Sequence, residues 1–158
     1  MFKVGDKVVY PMHGAGVIEA IEEKEVLGAK RRYYIMKLPC GNMKVMIPID
    51  NIDEIGLRQV VDAKAVKKVL SILQDKESAM PSNWNRRYRA NLEKIKSGNI
   101  YEVAEVVRNL SIRDKEKGLS TGERKMLETA RQILISELVL AKEENEDSVR
   151  TMIDELFA

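Results

Sequence analysis

Residues 62–73, with the sequence DAKAVKKVLSIL, mark the point at which the hydrophobic pattern of the chain changes. Apolar residues recur here at the i, i+3, i+4 and i+7 spacing of one helix face, at Val66, Val69, Leu70 and Leu73. Asp62 stands directly before them, where its side chain can accept a hydrogen bond from the first helical turn. The sequence therefore predicts that a helix begins here and that the segments on either side of it differ in architecture.

Toward the N-terminus, short runs of β-branched and aromatic residues alternate with turn-forming residues. The predicted strands are Val8–Tyr10, Val17–Ile21, Tyr33–Leu38 and Met43–Ile47, with a turn at residues 13–16. In the fourth strand, Lys44 and Met46 share the face opposite to Ile47, because side chains alternate along a strand. Short strands at this spacing predict a small SH3- or Tudor-like β barrel over residues 1–58, with a boundary near residues 56–61.

Toward the C-terminus, helical periodicity continues to the end of the chain. Candidate N-caps precede three of the further helices, at Ser82, Asn99 and Ser120, and Glu123 completes a capping box with Ser120. A short apolar stripe over residues 149–157 predicts a final helix. Residues 62–158 are therefore expected to form an all-helical bundle, which makes the predicted fold class α+β.

The overall charge is nearly balanced, but it is unevenly distributed. The 158 residues include 27 Lys and Arg against 25 Asp and Glu. Residues 81–135 carry 12 basic and 7 acidic side chains, whereas residues 136–158 carry 2 and 7. A basic middle section is compatible with a surface that faces phosphates and equally with a solvated helical face.

Several classes of protein are disfavoured by composition. One cysteine, Cys40, and one histidine, His13, exclude an internal disulfide and a Cys/His zinc site. No apolar run approaches the roughly 18 residues of a membrane span, and the charged start is unlike a secretory signal. No nucleophile or clustered carboxylate accompanies His13. We therefore expect a cytoplasmic protein without catalytic activity, metal or cofactor.

The most informative segment is residues 83–96, NWNRRYRANLEKIK, which contains the only tryptophan of the chain. Its polar side chains are of types that contact phosphate and sugar oxygens, namely Asn83, Arg86, Arg87, Arg89 and Lys94. A large ring such as that of Trp84 can wedge against an unstacked base step in the minor groove. The segment therefore predicts a nucleic-acid interface.

Spacing alone also permits a purely structural interpretation of Trp84. The residue lies four positions before Tyr88, on the same predicted stripe as Leu92, and this spacing favours a core tryptophan. Its place in the first turn leaves room for the ring to project beyond the bundle. Periodicity does not decide between these two positions.

Four segments together resemble the CarD/CdnL family of bacterial transcription factors. They are VVYPMHG at residues 8–14, NW followed by RRYRANLEK within residues 83–94, VAEVVR at residues 103–108, and the stretch from Gly118 to Leu134. The likeness follows the same order over nearly the whole chain. The absence of a long basic tail is typical of the short CdnL type.

The resemblance implies that the two halves of the chain bind different partners. A Tudor-like domain would dock on the β subunit of RNA polymerase, in the holoenzyme with the housekeeping sigma factor, through Lys24, Lys44 and Met46. Some relatives carry arginine at the position of Met46, so an exposed edge strand would also dock through its main chain. No membrane association is implied, and a monomer is expected.

The helical domain would contact promoter DNA at the upstream edge of the bubble, near the −10 element. In this interpretation Trp84 is the wedge, and its neighbours hold the flanking backbone, namely Asn83, Arg86, Arg87, Arg89 and Lys94. The implied function is to stabilise the open promoter complex at housekeeping promoters. Two alternatives remain from the residues alone: a module that binds RNA or the ribosome, and a phosphoryl-transfer enzyme.

Overall fold

We describe the protein from a computed structural model, which covers residues 1–39 and 41–158. The expectation that Cys40 lies exposed in a turn, without a disulfide partner, falls outside the described residues. The predicted α+β class is confirmed, because an antiparallel sheet is followed by a helical bundle.

The N-terminal half is a sheet of five antiparallel strands in the order β4-β3-β2-β1-β5. The strands are β1 (Lys7–Tyr10), β2 (Gly14–Val26), β3 (Ala29–Lys37), β4 (Lys44–Pro48) and β5 (Arg58–Gln59). A short helix, α1 (Ile52–Ile55), precedes β5. The last strand returns to pair with the first, and the sheet curls around its own apolar residues in the manner of a small Tudor-like fold, with β4 and β5 at its edges.

The sheet curls around one compact cluster of buried side chains. Its members are Val8, Ile18, Tyr34, Met36, Ile47 and Leu57. The pairing of β2 with β3 shifts register between Ile18 and Ala20, and such a bulge bends the strand and increases its twist. The bend lets a single sheet enclose a core.

Two details of the sheet differ from the sequence prediction. The turn after β1 covers residues 11–13, and Gly14 already belongs to β2, so the turn predicted at residues 13–16 is wrong. Met12 adopts a positive φ of 73° there, which no composition rule anticipates for methionine. β2 and β3 also extend to a tip at Gly28, through exposed charged residues that carry no alternating apolar pattern.

The C-terminal half contains five helices with pronounced caps. They are α2 (Ala63–Gln74), α3 (Trp84–Lys96), α4 (Ile100–Glu116), α5 (Thr121–Lys142) and α6 (Glu146–Leu156). Asp62 and Asn99 cap α2 and α4 as predicted, accepting from Ala65 N at 3.0 Å and from Tyr101 N at 2.9 Å. Asn83, not Ser82, caps α3.

The long helices α4 and α5 form the centre of the bundle. Val107 and Leu110 on α4 and Leu134 and Leu138 on α5 are fully inaccessible. The remaining helices cover this pair, and the resulting core is separate from the cluster inside the sheet. Each half therefore has its own hydrophobic core.

Polar contacts attach the sheet to α5. Arg58 makes two hydrogen bonds of 2.7 Å to the carboxylate of Glu137, which is 1% exposed, and Val61 N donates to the same carboxylate at 3.0 Å. Ala15 N donates to Ser136 Oγ at 2.8 Å. These bonds hold β2, β5 and the segment after β5 against α5 and fix the sheet relative to the bundle.

Candidate nucleic-acid interface

Trp84 is the first residue of α3, and its side chain lies at the surface of the bundle. It is 42% exposed, its Nε1–H donates to Ser120 Oγ at 2.9 Å, and its ring stacks on Tyr88 with centroids 5.2 Å apart. The core position that spacing favours is therefore wrong. The apolar stripe of α3 runs past the end of the bundle in its first turn, and the last ring of that stripe remains accessible.

The Trp84 indole packs against the first turn of α5. A Cβ added at Gly122 would lie 3.5 Å from Trp84 Cζ2 and 3.8 Å from the Tyr88 ring. A methyl group at this position would therefore be in ordinary van der Waals contact with both rings, which lie across the start of α5. One hydrogen bond and one ring stack fix the orientation of the exposed indole edge.

The Arg87 side chain points into the protein, whereas the predicted contact with DNA requires it to point outward. Its guanidinium is buried (3% exposed) and donates to Glu123 through Nε at 2.8 Å and Nη2 at 3.2 Å. Nη1 donates to Ser82 O at 3.1 Å. Three positions after Trp84, the helical period turns this side chain toward the core. Arg87 therefore does not reach a phosphate in this conformation; it ties the start of α3 to α5.

The ion pair changes the acidity of its carboxylate. The hydrogen bond from Arg87 lowers the pKa of Glu123 below its ordinary value of 4.5, against the opposing effect of burial. The capping box predicted from Ser120 and Glu123 is confirmed. Glu123 N donates to Ser120 Oγ at 3.2 Å, and the Glu123 carboxylate, which also accepts from Arg87, accepts in return from Ser120.

Arg86 and Arg89 are the cations that the structure leaves exposed beside Trp84. Both lie on the outer face of α3, and neither forms an ion pair within residues 1–39 and 41–158. The Asn83 side chain accepts from Arg86 N at 3.1 Å, so its carbonyl oxygen holds the helix start. The first turns of α3 thus present one aromatic ring and two unpaired guanidinium groups.

Lys94 is separated from this group. It lies ten residues after Trp84 on α3, about 15 Å away along the axis, and its Nζ is 3.1 Å from Glu105. Asn83, Trp84, Arg86 and Arg89 therefore lie at the N-cap and in the first two turns of α3, and Lys94 lies at the other end of the helix. Sequence reasoning missed the supporting roles of Ser120 and Glu123, which it treated only as helix-start signals.

The residues expected to face RNA polymerase lie on the sheet. Lys44 and Met46 occupy the exposed face of β4, with Met46 43% exposed. Lys44 Nζ is 2.9 Å from Glu19, and their hydrogen bond lowers the pKa of Glu19 and raises that of Lys44. Lys24 pairs with Arg31 in the part of the β2–β3 hairpin that extends beyond β4, so it is not adjacent to the other two.

The main chain of β4 is also accessible, because this strand forms one edge of the sheet. Leu38 N donates to Met43 O, and the two residues stand opposite each other in the antiparallel register. Hydrogen-bonded pairs alternate along such a ladder, so Val45 and Ile47 bond to β3. The N–H groups of Lys44 and Met46 therefore point away from the sheet.

Neither a membrane span nor a metal site is found in the part of the chain that the structure describes. None of its helices is long and apolar enough to cross a bilayer. His, Asp and Glu side chains form no group of three or more that is arranged to hold a metal ion there.

Comparison with known proteins gives matches to both halves of the chain. Residues 2–61 match the family described as CarD-like/TRCF RID domain, and residues 68–154 match that described as CarD, C-terminal domain. A curated relative, the putative transcription factor YdeB of Bacillus subtilis (strain 168), is 48% identical over 151 residues, covering 96% of this chain and 99% of that protein.

A solved structure also matches, the solution NMR structure of the 72-residue N-terminal domain of Myxococcus xanthus CarD. It is 37% identical, with a TM-score of 0.33, over 37% of this chain and 79% of that one.

Proposed function

The chain belongs to the CarD family of transcription factors, and from this premise we propose that it stabilises the open promoter complex of RNA polymerase. In this proposal the sheet docks on the β subunit of the holoenzyme, and the start of α3 contacts promoter DNA at the upstream edge of the bubble, near the −10 element. Its partners place its action in the cytoplasm, and the chain acts by binding rather than by catalysis.

The observation that carries the proposal is the exposed, oriented indole of Trp84. A ring held by Ser120 and Tyr88 loses little freedom on binding. It gains contacts only where base stacking is interrupted, as at the edge of a bubble. A factor shifts an equilibrium by its difference in affinity for the two states, and about 1.4 kcal/mol in favour of the open state changes the ratio roughly tenfold.

Arg86 and Arg89 provide the contacts that do not depend on sequence. Their exposed guanidinium groups project from the first two turns of the helix that Trp84 begins, and they suit backbone phosphates near the distorted step. Asn83 contributes by fixing the helix start from which both project. We expect Arg87 to act indirectly, by holding α3 against α5, and Lys94 to contribute little because Glu105 already pairs with it.

Docking on the polymerase uses the edge strand β4 in this proposal. The outward N–H groups of Lys44 and Met46 can pair with a strand of the β subunit, in a mode that tolerates side-chain change. Attachment through the sheet raises the local concentration of α3 at the promoter, so weak affinity for DNA is sufficient. Lys24 would provide an additional contact from the projecting hairpin.

Substitutions at Met46 test this docking mode. Met46→Pro removes the outward N–H while leaving the bonds of Val45 and Ile47 to β3, and it should weaken binding to the isolated β subunit at least tenfold. Met46→Ala removes only the side chain and should change the dissociation constant by no more than about threefold. Equal behaviour of the two variants in a titration with the β subunit would contradict pairing through the main chain.

The function itself is tested by measuring how much promoter DNA is open. Permanganate reactivity of thymines in the bubble should increase when the protein is added to cognate holoenzyme on a housekeeping promoter. An unchanged reactivity, together with tighter binding to structured RNA than to forked DNA, would favour a different function for the same surface.

A further inference from the structure

We infer that a cavity beside α3 binds one backbone phosphate of the DNA strand that meets Trp84. The cavity, of about 510 Å³, lies between residues 77–82 and the last turns of α4. This inference rests on the proposed DNA contact and adds a binding site to it. The argument depends on the charges that line the cavity, on one unsatisfied donor and on the position of the cavity relative to Trp84.

Two cations line the cavity against one acidic side chain. Arg113 lies in the last turn of α4, Lys117 is the C-cap four positions later, and Glu77 is the acidic residue that lines the same cavity. Neither cation forms an ion pair with any residue in the described ranges. Two cations and one carboxylate among the lining residues leave one net positive charge, which a phosphate diester would neutralise.

Arg113 also contains a buried donor without an acceptor. Its Nε has no hydrogen-bond partner, and it is the one such side-chain nitrogen or oxygen within residues 1–39 and 41–158. Burial has already removed water from this N–H, so an anionic oxygen that reaches it on a small side-chain rotation restores the missing bond. The planar guanidinium suits two parallel bonds to one phosphate.

The cavity is attached to the Trp84 site through the main chain. Pro81 and Ser82 form part of its wall and lead directly into Asn83 and Trp84. Their carbonyl groups both accept from Arg87 Nη1. The wall of the cavity and the start of α3 are therefore held as one unit, and this wall continues along the chain into Trp84.

A competing explanation is that these cations merely oppose the dipole at the C-terminal end of α4. Lys115 lies in the same last turn and serves that purpose equally, but it does not line the cavity. Replacing Lys115 therefore removes the same charge from the same helix end without touching the inferred site, which makes Lys115→Gln the matched control.

The test is binding of the full chain to a fluorescent forked duplex, measured by anisotropy over a range of KCl concentrations. Loss of one phosphate contact lowers the slope of log K against log salt by about 0.9 and weakens binding roughly eightfold near 0.1 M salt. We expect this result for Lys117→Gln and for Arg113→Gln. Lys115→Gln should leave the slope unchanged and the affinity within about twofold.

The outcomes separate this site from the wedge. Trp84→Ala should reduce the preference for the fork over the intact duplex without altering the salt slope, and its failure to do so would contradict the proposed function alone. If Lys117→Gln keeps the wild-type salt slope, or if Lys117→Gln and Lys115→Gln lose equal amounts of DNA affinity, the inference about the cavity is wrong.

Arg113 interacts electrostatically with Glu123 of the buried ion pair, whereas Lys117 is exposed. Lys117→Gln is therefore the decisive variant, and the thermal unfolding of both variants is compared with that of wild type. Inorganic phosphate is also tested as a competitor of DNA binding at constant ionic strength. If phosphate competes but neither substitution changes DNA binding, the cavity binds a free anion rather than the DNA backbone. This result would also overturn the inference.

Discussion

At the scale of single residues, the hydrogen bond between Trp84 and Ser120 determines how the indole is presented. Ser120→Ala removes this acceptor and the N-cap of α5 together. The loss of the cap should cost about 1 kcal/mol of unfolding free energy. Because Trp84 is the only tryptophan, its fluorescence emission should move to longer wavelength as the ring becomes more solvated. Ser82→Ala, at the predicted cap that is not used, should change neither quantity.

The buried pair of Arg87 and Glu123 gives a second prediction, at neutral pH. Glu123→Gln leaves the Arg87 guanidinium buried without its counter-ion, and breaking such a pair costs about 3–5 kcal/mol. Urea unfolding at pH 7 measures this loss. A loss below about 1 kcal/mol would contradict the structural role assigned to Arg87.

The pH dependence of the same pair follows from the lowered pKa of Glu123. Its folded-state pKa lies below the ordinary 4.5 because Arg87 donates to it, so its stabilising contribution is complete above 4.5 and decreases as the pH falls through the folded-state value. The difference in unfolding free energy between wild type and Glu123→Gln should therefore shrink in acid. A difference that stays constant down to pH 3 would be inconsistent with this assignment.

The exposed residues of the site were easier to predict from the sequence than the residues that hold them in place. Trp84, Arg86 and Arg89 are recognisable from residue type and proximity, and the inward direction of Arg87 follows from the helical period. The partner of Arg87 is 36 residues away on another helix, and no local pattern encodes that pairing. The exposure of Trp84 likewise depends on where the neighbouring helix α5 begins.

At the scale of secondary-structure elements, the contact between β2 and α5 requires a glycine. Gly14 has a φ of +103°, and a Cβ there would lie 2.7 Å from Ser136 Oγ and 3.7 Å from the main chain of Ile133. Gly14→Ala should therefore lower stability through both strain and a clash. Gly28 has a similarly positive φ of +80° in open space, so Gly28→Ala isolates the strain.

We expect Gly14→Ala to be less stable than Gly28→Ala by about 1–3 kcal/mol, in the range of an overpacked site. Chemical unfolding of the two variants under the same conditions measures the difference. Equal stabilities would mean that the sheet can move away from α5 at little cost.

Helices were more predictable than strands for a physical reason. Each helix carries a cap and an apolar stripe within its own sequence, as at Asp62 and Asn99. β5 contains only two residues, and its pairing with β1 depends on segments about fifty positions apart. The charged tip of the β2–β3 hairpin is held by its neighbour strand and has no alternating pattern to reveal it.

At the scale of the whole molecule, two hydrophobic cores are joined by a mainly polar contact. Glu137 is central to that contact, because Arg58 and the main chain of Val61 both donate to its buried carboxylate. In Glu137→Gln, amide hydrogens of the sheet and of the bundle should exchange with different opening free energies, whereas in wild type they should share one global value. The exposed ion pair of Glu143 with Lys7 supplies the control, since Glu143→Gln should preserve the shared value.

A fixed contact between the halves has a consequence for the proposed function. The edge strand β4 and the start of α3 are then held at one distance and orientation, so docking on the polymerase aims Trp84 at a defined position on the promoter. A flexible connection would raise local concentration but would not select the bubble edge. Loosening this contact should therefore weaken the effect on promoter opening without abolishing binding to the β subunit.

The most direct test of the central claim is the lifetime of the open complex on a housekeeping promoter, formed by cognate holoenzyme and challenged with competitor. Wild-type protein should lengthen this lifetime several-fold. Trp84→Ala should remove the effect while retaining wild-type affinity for the β subunit. If Trp84→Ala lengthens the lifetime as much as wild type does, Trp84 is not a wedge and the account given for this surface is wrong.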